Sequence, residues 1–224
     1  MQREIIITKD GSHSISVPDL NVTYHSIHGA LQESLHVFIQ AGLNYSKDVF
    51  PETPLRILEV GFGTGLNALL TLQEAAKLQR RIHYTALELY PLEEEQAKQL
   101  NYASAGDQQT FMQLHTSEWE KEIPLTSLFS LQKNRTSLLD FSSTASFHLI
   151  YFDAFAPAAQ PELWTQDVFE KLYAAMLPSA ILVTYCSKGD VRRAMEAAGL
   201  KVEKIQGPPG KREMVRAHKE RKVS

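Results

Sequence analysis

The chain of 224 residues has very little cysteine and no long apolar run. Cys186 is the only cysteine, so an internal disulfide and a cysteine-built metal site are both excluded. A membrane-spanning helix needs about 18 or more consecutive apolar residues, and the chain has no such run. Residues 1–4 lack the basic-then-apolar layout of a signal peptide. We therefore expect a cytoplasmic protein with no metal and no membrane contact. The sequence leaves the oligomeric state open and is compatible with a monomer.

Residues 55–67 lack the glycine patterns of two common nucleotide-binding loops. A phosphate-binding P-loop contains Gly-Lys-Ser/Thr, which is absent, and a dinucleotide fingerprint G-x-G-x-x-G would need a glycine where Leu66 stands. The segment instead has an apolar strand that ends in Glu59-Val60, three glycines at alternate positions and the start of a helix. This order predicts a cofactor pocket at a strand–turn–helix junction.

The pattern E-V-G-x-G-x-G favours S-adenosylmethionine as the cofactor. Glycines let the backbone approach a ligand closely, and the helix start behind them offers unpaired N–H groups to it. A carboxylate before the turn suits the cationic amino-acid end of this cofactor. A nicotinamide cofactor and a purely structural turn stay open as alternatives. The predicted cofactor-binding residues of the segment are Glu59, Gly61, Phe62, Gly63, Thr64, Gly65 and Asn67.

Predicted strands and helices alternate along the chain, which indicates a Rossmann-like α/β fold with a mostly parallel, doubly wound sheet. Together with the cofactor motif, this order predicts the class I methyltransferase type of the fold. An N-terminal extension, residues 1–50, packs on a methyltransferase domain of residues 51–224. Strands are expected at 5–7, 14–17, 55–60, 82–88, 111–114, 147–153 and 180–185, with an antiparallel C-terminal pair at 200–205 and 213–216. Helices are expected at 28–43, from 66 to 79, from 91, at 125–131, at 166–176 and at 191–198.

Two further acids end predicted strands, and ligands bind at the carboxyl ends of strands in sheets of this kind. Glu88 follows the second parallel strand, where a carboxylate can accept both ribose hydroxyls of an adenosine. The alternative for Glu88 is a solvated surface acid. Asp153 follows the fourth strand, and we assign it to both cofactor binding and catalysis.

Asp153 opens a segment, residues 153–164, whose acid–aromatic–proline order resembles the Asp/Asn-Pro-Pro-aromatic loop of amino-group methyltransferases. An alkyl amine is largely protonated at pH 7, as the lysine reference pKa of about 10.4 shows, so it must lose a proton and be oriented. Asp153 can orient the N–H groups, while Phe155 shields a sulfonium or stacks on a base. These two are the predicted catalytic residues. The alternative is that Asp153 only ends the strand and Trp164 is buried in the core, with no role for either in catalysis.

The charges of the chain are unevenly distributed. The net charge is −3, yet residues 188–224 contain eleven Lys and Arg against five Asp and Glu and carry +6, which leaves −9 on the remainder. Such asymmetry is typical of a surface that binds phosphate groups. A solvated helix face with a basic tail would give the same pattern.

Together these motifs resemble the methyltransferase domain of the MnmC family, over nearly the whole chain. In that family the domain methylates the 5-aminomethyl group of wobble 2-thiouridine in tRNA, giving the 5-methylaminomethyl form. The chain ends about ten residues after Lys-Arg-Glu-Met, so we expect no flavin oxidase domain and no FAD. The motifs that carry the resemblance are Tyr24-His25-Ser26, Glu59 to Asn67, Asp153-Ala154-Phe155-Ala156-Pro157, Val191-Arg192-Arg193 and Gly207 to Met214.

The resemblance implies a tRNA partner, bound at its anticodon stem-loop. The residues it assigns to the substrate or the tRNA are Tyr24, Ser26, Glu33, Pro157, Trp164, Lys188, Arg192, Arg193, Lys211 and Arg212. Residues 115–119 lack the Gly-Asp of the family, which leaves Ser117 and Glu118 as candidates for the adenine contact. A methyltransferase of a small-molecule or protein amine, and a non-catalytic binding module, are the rival functions.

Overall fold

The computed structural model describes residues 2–51 and 54–221. None of the helices within these residues is long and apolar enough to cross a membrane. The strands are β1 (Glu4–Ile7), β2 (His13–Val17), β3 (Val22–Thr23), β4 (Leu55–Val60), β5 (Ile82–Leu87), β6 (Glu122–Pro124), β7 (Phe129–Asn134), β8 (Phe147–Phe152), β9 (Met176–Thr184), β10 (Lys201–Gln206) and β11 (Glu213–His218). The α-helices are α1 (Ala30–Ser34), α2 (Tyr45–Val49), α3 (Leu66–Leu78), α4 (Glu94–Lys98), α5 (Gln108–Thr116), α6 (Gln166–Ala175) and α7 (Gly189–Ala197).

The main sheet has the strand order β10-β11-β9-β8-β4-β5-β7-β6. Its five central strands, from β9 to β7, run parallel, whereas β11 pairs antiparallel with both β9 and β10, and β6 pairs antiparallel with β7. A second sheet contains β1, β2 and β3. The predicted Rossmann-like, mostly parallel sheet with an antiparallel C-terminal strand is confirmed, as is the N-terminal hairpin.

The core lies on both faces of the main sheet because successive side chains of a strand point to opposite faces. In β4, Ile57 belongs to a cluster that includes α3 and α5, whereas Leu58 belongs to a second cluster that includes α6 and α7. Both side chains are fully buried. The parallel strands are therefore covered on both sides, and their carboxyl ends form the edge at which the following loops meet.

The helical segment after the N-terminal sheet packs closely on the first face. It continues from α1 through a π-helix, Leu35–Asn44, into α2. The predicted helix at 28–43 covers most of this segment but not α2. Phe38 is buried against Tyr151 of β8, with ring centroids 5.1 Å apart. A Cβ atom on Gly42 would lie 3.0 Å from Val183 Cγ2, so a glycine lets the helix approach the sheet at this point.

Two predictions of local structure were wrong, and they are linked. Residues 111–114 form no strand but lie in α5, where Phe111 and Leu114 face the core at helical spacing. Residues 125–131 form no helix; this part of the chain is a turn followed by β7, which takes the sheet position predicted for residues 111–114. A short apolar run does not distinguish a strand from a helix by its periodicity. The helix expected from residue 91 begins only at Glu94.

Replacing Phe38 by Ala should destabilise the fold strongly, because it leaves a cavity between the π-helix and β8. We expect a loss of about 3–5 kcal/mol in the free energy of unfolding, measured by urea denaturation. Leu31→Ala is the control: Leu31 lies on the adjoining α1 but is 36% exposed, and its loss should be below about 1 kcal/mol. Similar losses for the two variants would contradict this packing.

Candidate functional site

A cavity of about 300 Å³ opens at the carboxyl edge of the parallel strands. Its lining comes from the segments that follow β4, β5, β7 and β8, together with Tyr24 and His25 of the N-terminal segment. Cavities of this size and position hold small ligands in α/β folds. The sequence placed the cofactor at this edge, and most residues predicted to bind it line the cavity.

The glycine turn forms the floor of the cavity. Gly61 and Gly63 both have positive φ, +89° and +51°. A Cβ atom on Gly61 would lie 2.8 Å from the carbonyl oxygen of Asp153, and one on Gly63 would lie 3.0 Å from Tyr24 Cδ1. The turn therefore needs glycine for its backbone angles and for its close packing. No described side chain caps the N-terminus of α3, which follows directly.

Asn67, in the first turn of α3, joins two carboxyl groups. Its Nδ2 donates to Glu59 Oε1 at 3.0 Å and to Asp153 Oδ2 at 2.9 Å. Glu59 is 0% exposed and lies behind Asn67, so it supports the cavity lining without being part of it. Asn67 Oδ1 accepts no hydrogen bond from residues 2–51 or 54–221. Asn67 lines the cavity, and its two hydrogen bonds fix the Asp153 carboxyl at this point.

Both carboxyl groups have raised pKa values. Burial, and then the charge of Asp153, raises the pKa of Glu59 well above its usual range. Burial, and then the charge of Glu33, raises the pKa of Asp153 to about 7. Asp153 therefore exchanges a proton near neutral pH, as a general base must. A carboxyl group with an unperturbed pKa would be fully ionised there and a poor proton acceptor.

Glu88 holds the backbone on either side of the cavity. Its Oε2 accepts the Gly63 N–H at 3.0 Å and its Oε1 accepts the Tyr90 N–H at 2.8 Å. The side chain lies in the cavity lining at the end of β5, the position from which we predicted contacts with a ribose. Each carboxylate oxygen has a second lone pair, so both can still accept a hydroxyl group.

The N-terminal segment contributes part of the cavity wall. Tyr24 packs edge-on against Phe155, with ring centroids 5.1 Å apart, and both rings line the cavity. Arg3 donates from Nη1 to the carbonyl oxygen of Pro91 at 2.9 Å and from Nη2 to that of Tyr90. Arg3, which directly precedes β1, thus hydrogen-bonds to the segment that follows β5.

Trp164 and Pro157, both predicted to contact the substrate, lie outside the cavity lining. Trp164 is 5% exposed, and its Nε1 donates to the carbonyl oxygen of Phe155 at 2.8 Å. Its ring packs edge-on against Phe152, at 4.8 Å between centroids. Gln160 Oε1 accepts the Phe155 N–H at 3.0 Å. In this structure Trp164 therefore supports the loop that presents Phe155.

Ser26, Glu33 and Lys211, also predicted to bind substrate or tRNA, are bonded to one another. The Ser26 N–H donates to Glu33 Oε2 at 2.7 Å, and Lys211 Nζ donates to Glu33 Oε1 at 2.7 Å. Lys211 Nζ also lies 3.8 Å from the ring centroid of Tyr185. The charge of Lys211 is thus directed into the protein rather than toward an external phosphate.

Four predicted tRNA-binding cations remain at the surface: Lys188, Arg192, Arg193 and Arg212. A Cβ atom on Gly189, at the start of α7, would lie 3.2 Å from Arg193 Nη1 and 3.8 Å from Arg192 Nη2, so the two guanidinium groups lie close together. Other cations of the basic segment are paired: Lys201 with Glu220, Lys204 with Glu213, and Arg216 with Glu203. Lys222 lies outside the described residues.

Sequence reasoning missed residues 136–139, which follow β7 and line the cavity. The candidates for the adenine contact, Ser117 and Glu118, lie after α5 and outside the lining. The error follows from the wrong strand assignment. With a strand predicted at residues 111–114, the loop that contacts the adenine was expected directly after residue 114 instead of after β7. The alternation of Phe129, Leu131 and Lys133, all buried, is the period-2 signal that identifies β7.

Replacing Gly61 by Ala should abolish binding of the predicted cofactor, S-adenosylmethionine, because the added Cβ meets the Asp153 backbone and displaces the turn. We expect at least a tenfold loss of affinity by calorimetry. Gly11→Ala is the matched control: Gly11 has φ +83° but nothing within 4 Å of an added Cβ. Its binding should equal that of the wild type, and an equal loss in both variants would refute the close-packing argument.

Comparison with known proteins agrees with this geometry. A family model described as S-adenosyl-L-methionine-dependent methyltransferase matches residues 79–220. The chain is 33% identical over 212 residues, 86% of its length and 33% of the relative's, to the tRNA 5-methylaminomethyl-2-thiouridine biosynthesis bifunctional protein MnmC of Nitrosospira multiformis. It is 32% identical over 217 residues, 88% of its length and 32% of the relative's, to the protein of that name in Pseudomonas savastanoi pv. phaseolicola.

Solved structures show the same fold. MNMC2 from Aquifex aeolicus matches with a TM-score of 0.80 and 24% identity, over 99% of this chain and 72% of that one. Spermidine synthase from Thermotoga maritima matches with a TM-score of 0.59 and 11% identity, over 99% of this chain and 70% of that one. The chain spans about a third of the length of the curated relatives. It belongs to the S-adenosyl-L-methionine-dependent methyltransferases and, among them, to the family of MnmC methyltransferase domains.

Proposed function

We propose that the protein is an S-adenosylmethionine-dependent N-methyltransferase of the 5-aminomethyl group of the wobble (2-thio)uridine in tRNA, with the 5-methylaminomethyl form as product. The observation that carries the proposal is the enclosed Asp153 carboxyl at the cavity, beside the glycine turn of a family that uses this cofactor. The names of the curated relatives refer to the biosynthesis of this nucleoside, which supports tRNA as the substrate.

The cofactor would be held by the glycine turn, by Asn67 and by Glu88. The turn brings backbone close to the cavity, Asn67 lines it beside Asp153, and Glu88 has lone pairs for hydroxyl groups. When bound, S-adenosylmethionine supplies a methyl carbon that the amine nitrogen attacks with its lone pair, while the electron pair of the broken C–S bond stays on sulfur. Tyr24 and Phe155 form an aromatic wall that suits a cationic sulfonium.

Asp153 would act on the acceptor amine. Asn67 holds its Oδ2 in place, which fixes the direction of the carboxyl group. With a pKa of about 7, the carboxylate form takes one proton from the ammonium group of the substrate, which frees the nitrogen lone pair for attack.

The surface cations at the start of α7 would bind the tRNA backbone. Arg192 and Arg193 present adjacent guanidinium groups, which suit phosphate oxygens. A wobble base is single-stranded and can leave its stack to enter a pocket. Contacts to phosphates position the loop without reading its sequence, so the binding should be modest and sensitive to salt.

Purified protein should transfer a labelled methyl group to tRNA that carries a 5-aminomethyl wobble base. Asp153→Asn should lower kcat by about 10²-fold or more, because the amide cannot accept the proton, while cofactor affinity stays within a few-fold of the wild type. Wobble nucleosides are analysed by mass spectrometry. Transfer to a small amine or a protein, with none to this tRNA, would reject the proposal. Cofactor binding without transfer to any amine would favour a binding module.

Replacing both Arg192 and Arg193 by Ala should weaken tRNA binding and its dependence on salt. Each lost phosphate contact lowers the slope of log K against log salt by about 1, so we expect a decrease of about 1–2. The control is Lys201→Ala with Lys204→Ala, which removes the same charge from residues paired with Glu220 and Glu213. Cofactor affinity should be unchanged in both. Equal effects on tRNA binding would place the RNA surface elsewhere.

A further inference from the structure

His115, near the C-terminal end of α5, contacts the glycine turn, residues 61–65, although it does not line the cavity. Its Nε2 lies 3.1 Å from the carbonyl oxygen of Thr64. A Cβ atom on Gly65 would lie 3.0 Å from the same nitrogen. The His115 ring also packs edge-on against that of Phe62, with centroids 5.4 Å apart. One side chain from outside the cavity therefore touches three residues of the turn.

The hydrogen of the bond between His115 and Thr64 belongs to the imidazole, because a carbonyl oxygen can only accept. Burial, and then the charge of Lys133, lowers the pKa of His115 to about 4, so the ring is neutral at pH 7 and has a single N–H. In a neutral imidazole the hydrogen partner of one nitrogen decides which nitrogen carries the proton. The Thr64 carbonyl thus selects the form of His115 with hydrogen on Nε2.

Lys133 of β7 fixes the end of α5 from which His115 projects. Its side chain is fully buried, and its Nζ donates to the carbonyl oxygen of His115 at 2.5 Å. The same Nζ lies 4.6 Å from the ring centroid of Trp119. A cation is favoured at the C-terminal end of a helix, where carbonyl groups lack partners. The His115 ring is further packed edge-on against Phe111, at 5.0 Å between centroids, so its N–H is held in place.

The peptide group between Thr64 and Gly65 is held through both of its polar atoms. The Gly65 N–H donates to the carbonyl oxygen of Phe62 at 2.9 Å, which is a bond within the turn. The bond from His115 to the Thr64 carbonyl oxygen is the one that ties this peptide to another element. Gly65 has φ +74°, and a glycine adopts φ of either sign readily, so its own backbone preference does not prevent a flip of the peptide. His25 Nε2 lies 3.5 Å from Thr64 Oγ1, a contact to the side chain that leaves the carbonyl direction open.

We propose that His115 is a positioning residue that keeps the glycine turn in its cofactor-binding conformation by donating its Nε2–H to the carbonyl oxygen of Thr64. The inference rests on the cofactor part of the proposed function and not on its tRNA substrate. A turn that spends only part of its time in the competent conformation binds its ligand more weakly by that fraction. Residues 115–119, which lack the Gly-Asp of the family, thus support the site without lining the cavity.

The first test compares His115→Met with His115→Gln. Both replacements are unbranched, have similar length and lack the ring, but only the glutamine amide can donate an N–H to Thr64. In calorimetry with S-adenosylmethionine, the affinity of His115→Met should fall about five- to tenfold, the worth of one hydrogen bond. The affinity of His115→Gln should stay within about twofold of the wild type, since the donor is kept.

His36→Met is the matched control. His36 Nε2 also donates to a backbone carbonyl oxygen, that of Gln206, at 2.8 Å, but neither residue lines the cavity. Its cofactor affinity should equal that of the wild type. A merely structural role of His115 predicts that Met and Gln at this position lower the melting temperature and the affinity alike. Wild-type affinity in His115→Met, or an equal loss in His115→Gln, would overturn the proposal.

A second measurement uses the wild-type protein without cofactor. Nitrogen NMR spectra of the ¹⁵N-labelled histidine rings show which ring nitrogen carries hydrogen, and the signal that disappears in His115→Gln is that of His115. At pH 7 the hydrogen should be on Nε2, with Nδ1 bare. Hydrogen on Nδ1 with a bare Nε2 would overturn the proposal, because such a ring has no N–H to donate to Thr64.

The two proposals fail separately, because neither the calorimetry nor the NMR measurement uses tRNA. If the wild type binds the cofactor without methylating tRNA, and the Met and Gln variants differ as expected, the tRNA function is wrong and the role of His115 stands. If tRNA is methylated, His115→Met should have a raised KM for the cofactor and a kcat close to that of the wild type at saturating cofactor. A lower kcat with an unchanged KM would reject the role of His115 alone.

Discussion

The site depends on the two hydrogen bonds that the Asn67 amide donates to Glu59 and Asp153. These carboxyl groups end neighbouring parallel strands, β4 and β8, and two charges so close together in an enclosed place would repel each other strongly. Burial, and then the charge of Asp153, raise the pKa of Glu59, so the structure favours the protonated form of this carboxyl group over a second charge beside Asp153. Asn67 lies in the first turn of α3, directly after the glycine turn. Its two hydrogen bonds therefore join this turn to the carboxyl groups at the ends of β4 and β8.

A Rossmann-like sheet leaves its carboxyl edge open to solvent, and this chain closes it with its N-terminal segment. Tyr24 lies over the glycine turn, Arg3 fastens the loop after β5, and Glu33 joins α1 to the loop between β10 and β11. These contacts link parts of the chain that are far apart in sequence. Local unfolding of the N-terminal segment would therefore expose the cavity and also break the ion pair between Glu33 and Lys211.

Much of this architecture could be predicted from the sequence, and the failures have a common physical origin. The strands at 55–60 and 147–152 and the glycine turn were found because long apolar runs and glycine spacing are local signals. Both predictions at residues 111–114 and 125–131 were wrong because a few apolar residues in a short segment fit the helical and the strand period equally well. The ion pair of Lys211 with Glu33 could not be predicted, since the two residues lie 178 positions apart in the sequence.

The basic C-terminal segment shows why a charge count overstates a binding surface. Lys201, Lys204 and Arg216 are neutralised by acids of the same hairpin, and Lys211 by Glu33, so the field available to an external phosphate comes mainly from the cations around α7. With so few contacts, backbone binding contributes modest affinity and no sequence information. Under the proposed function, discrimination between substrates then comes from the cavity, where an amine that fits beside Asp153 reacts and a uridine without one does not.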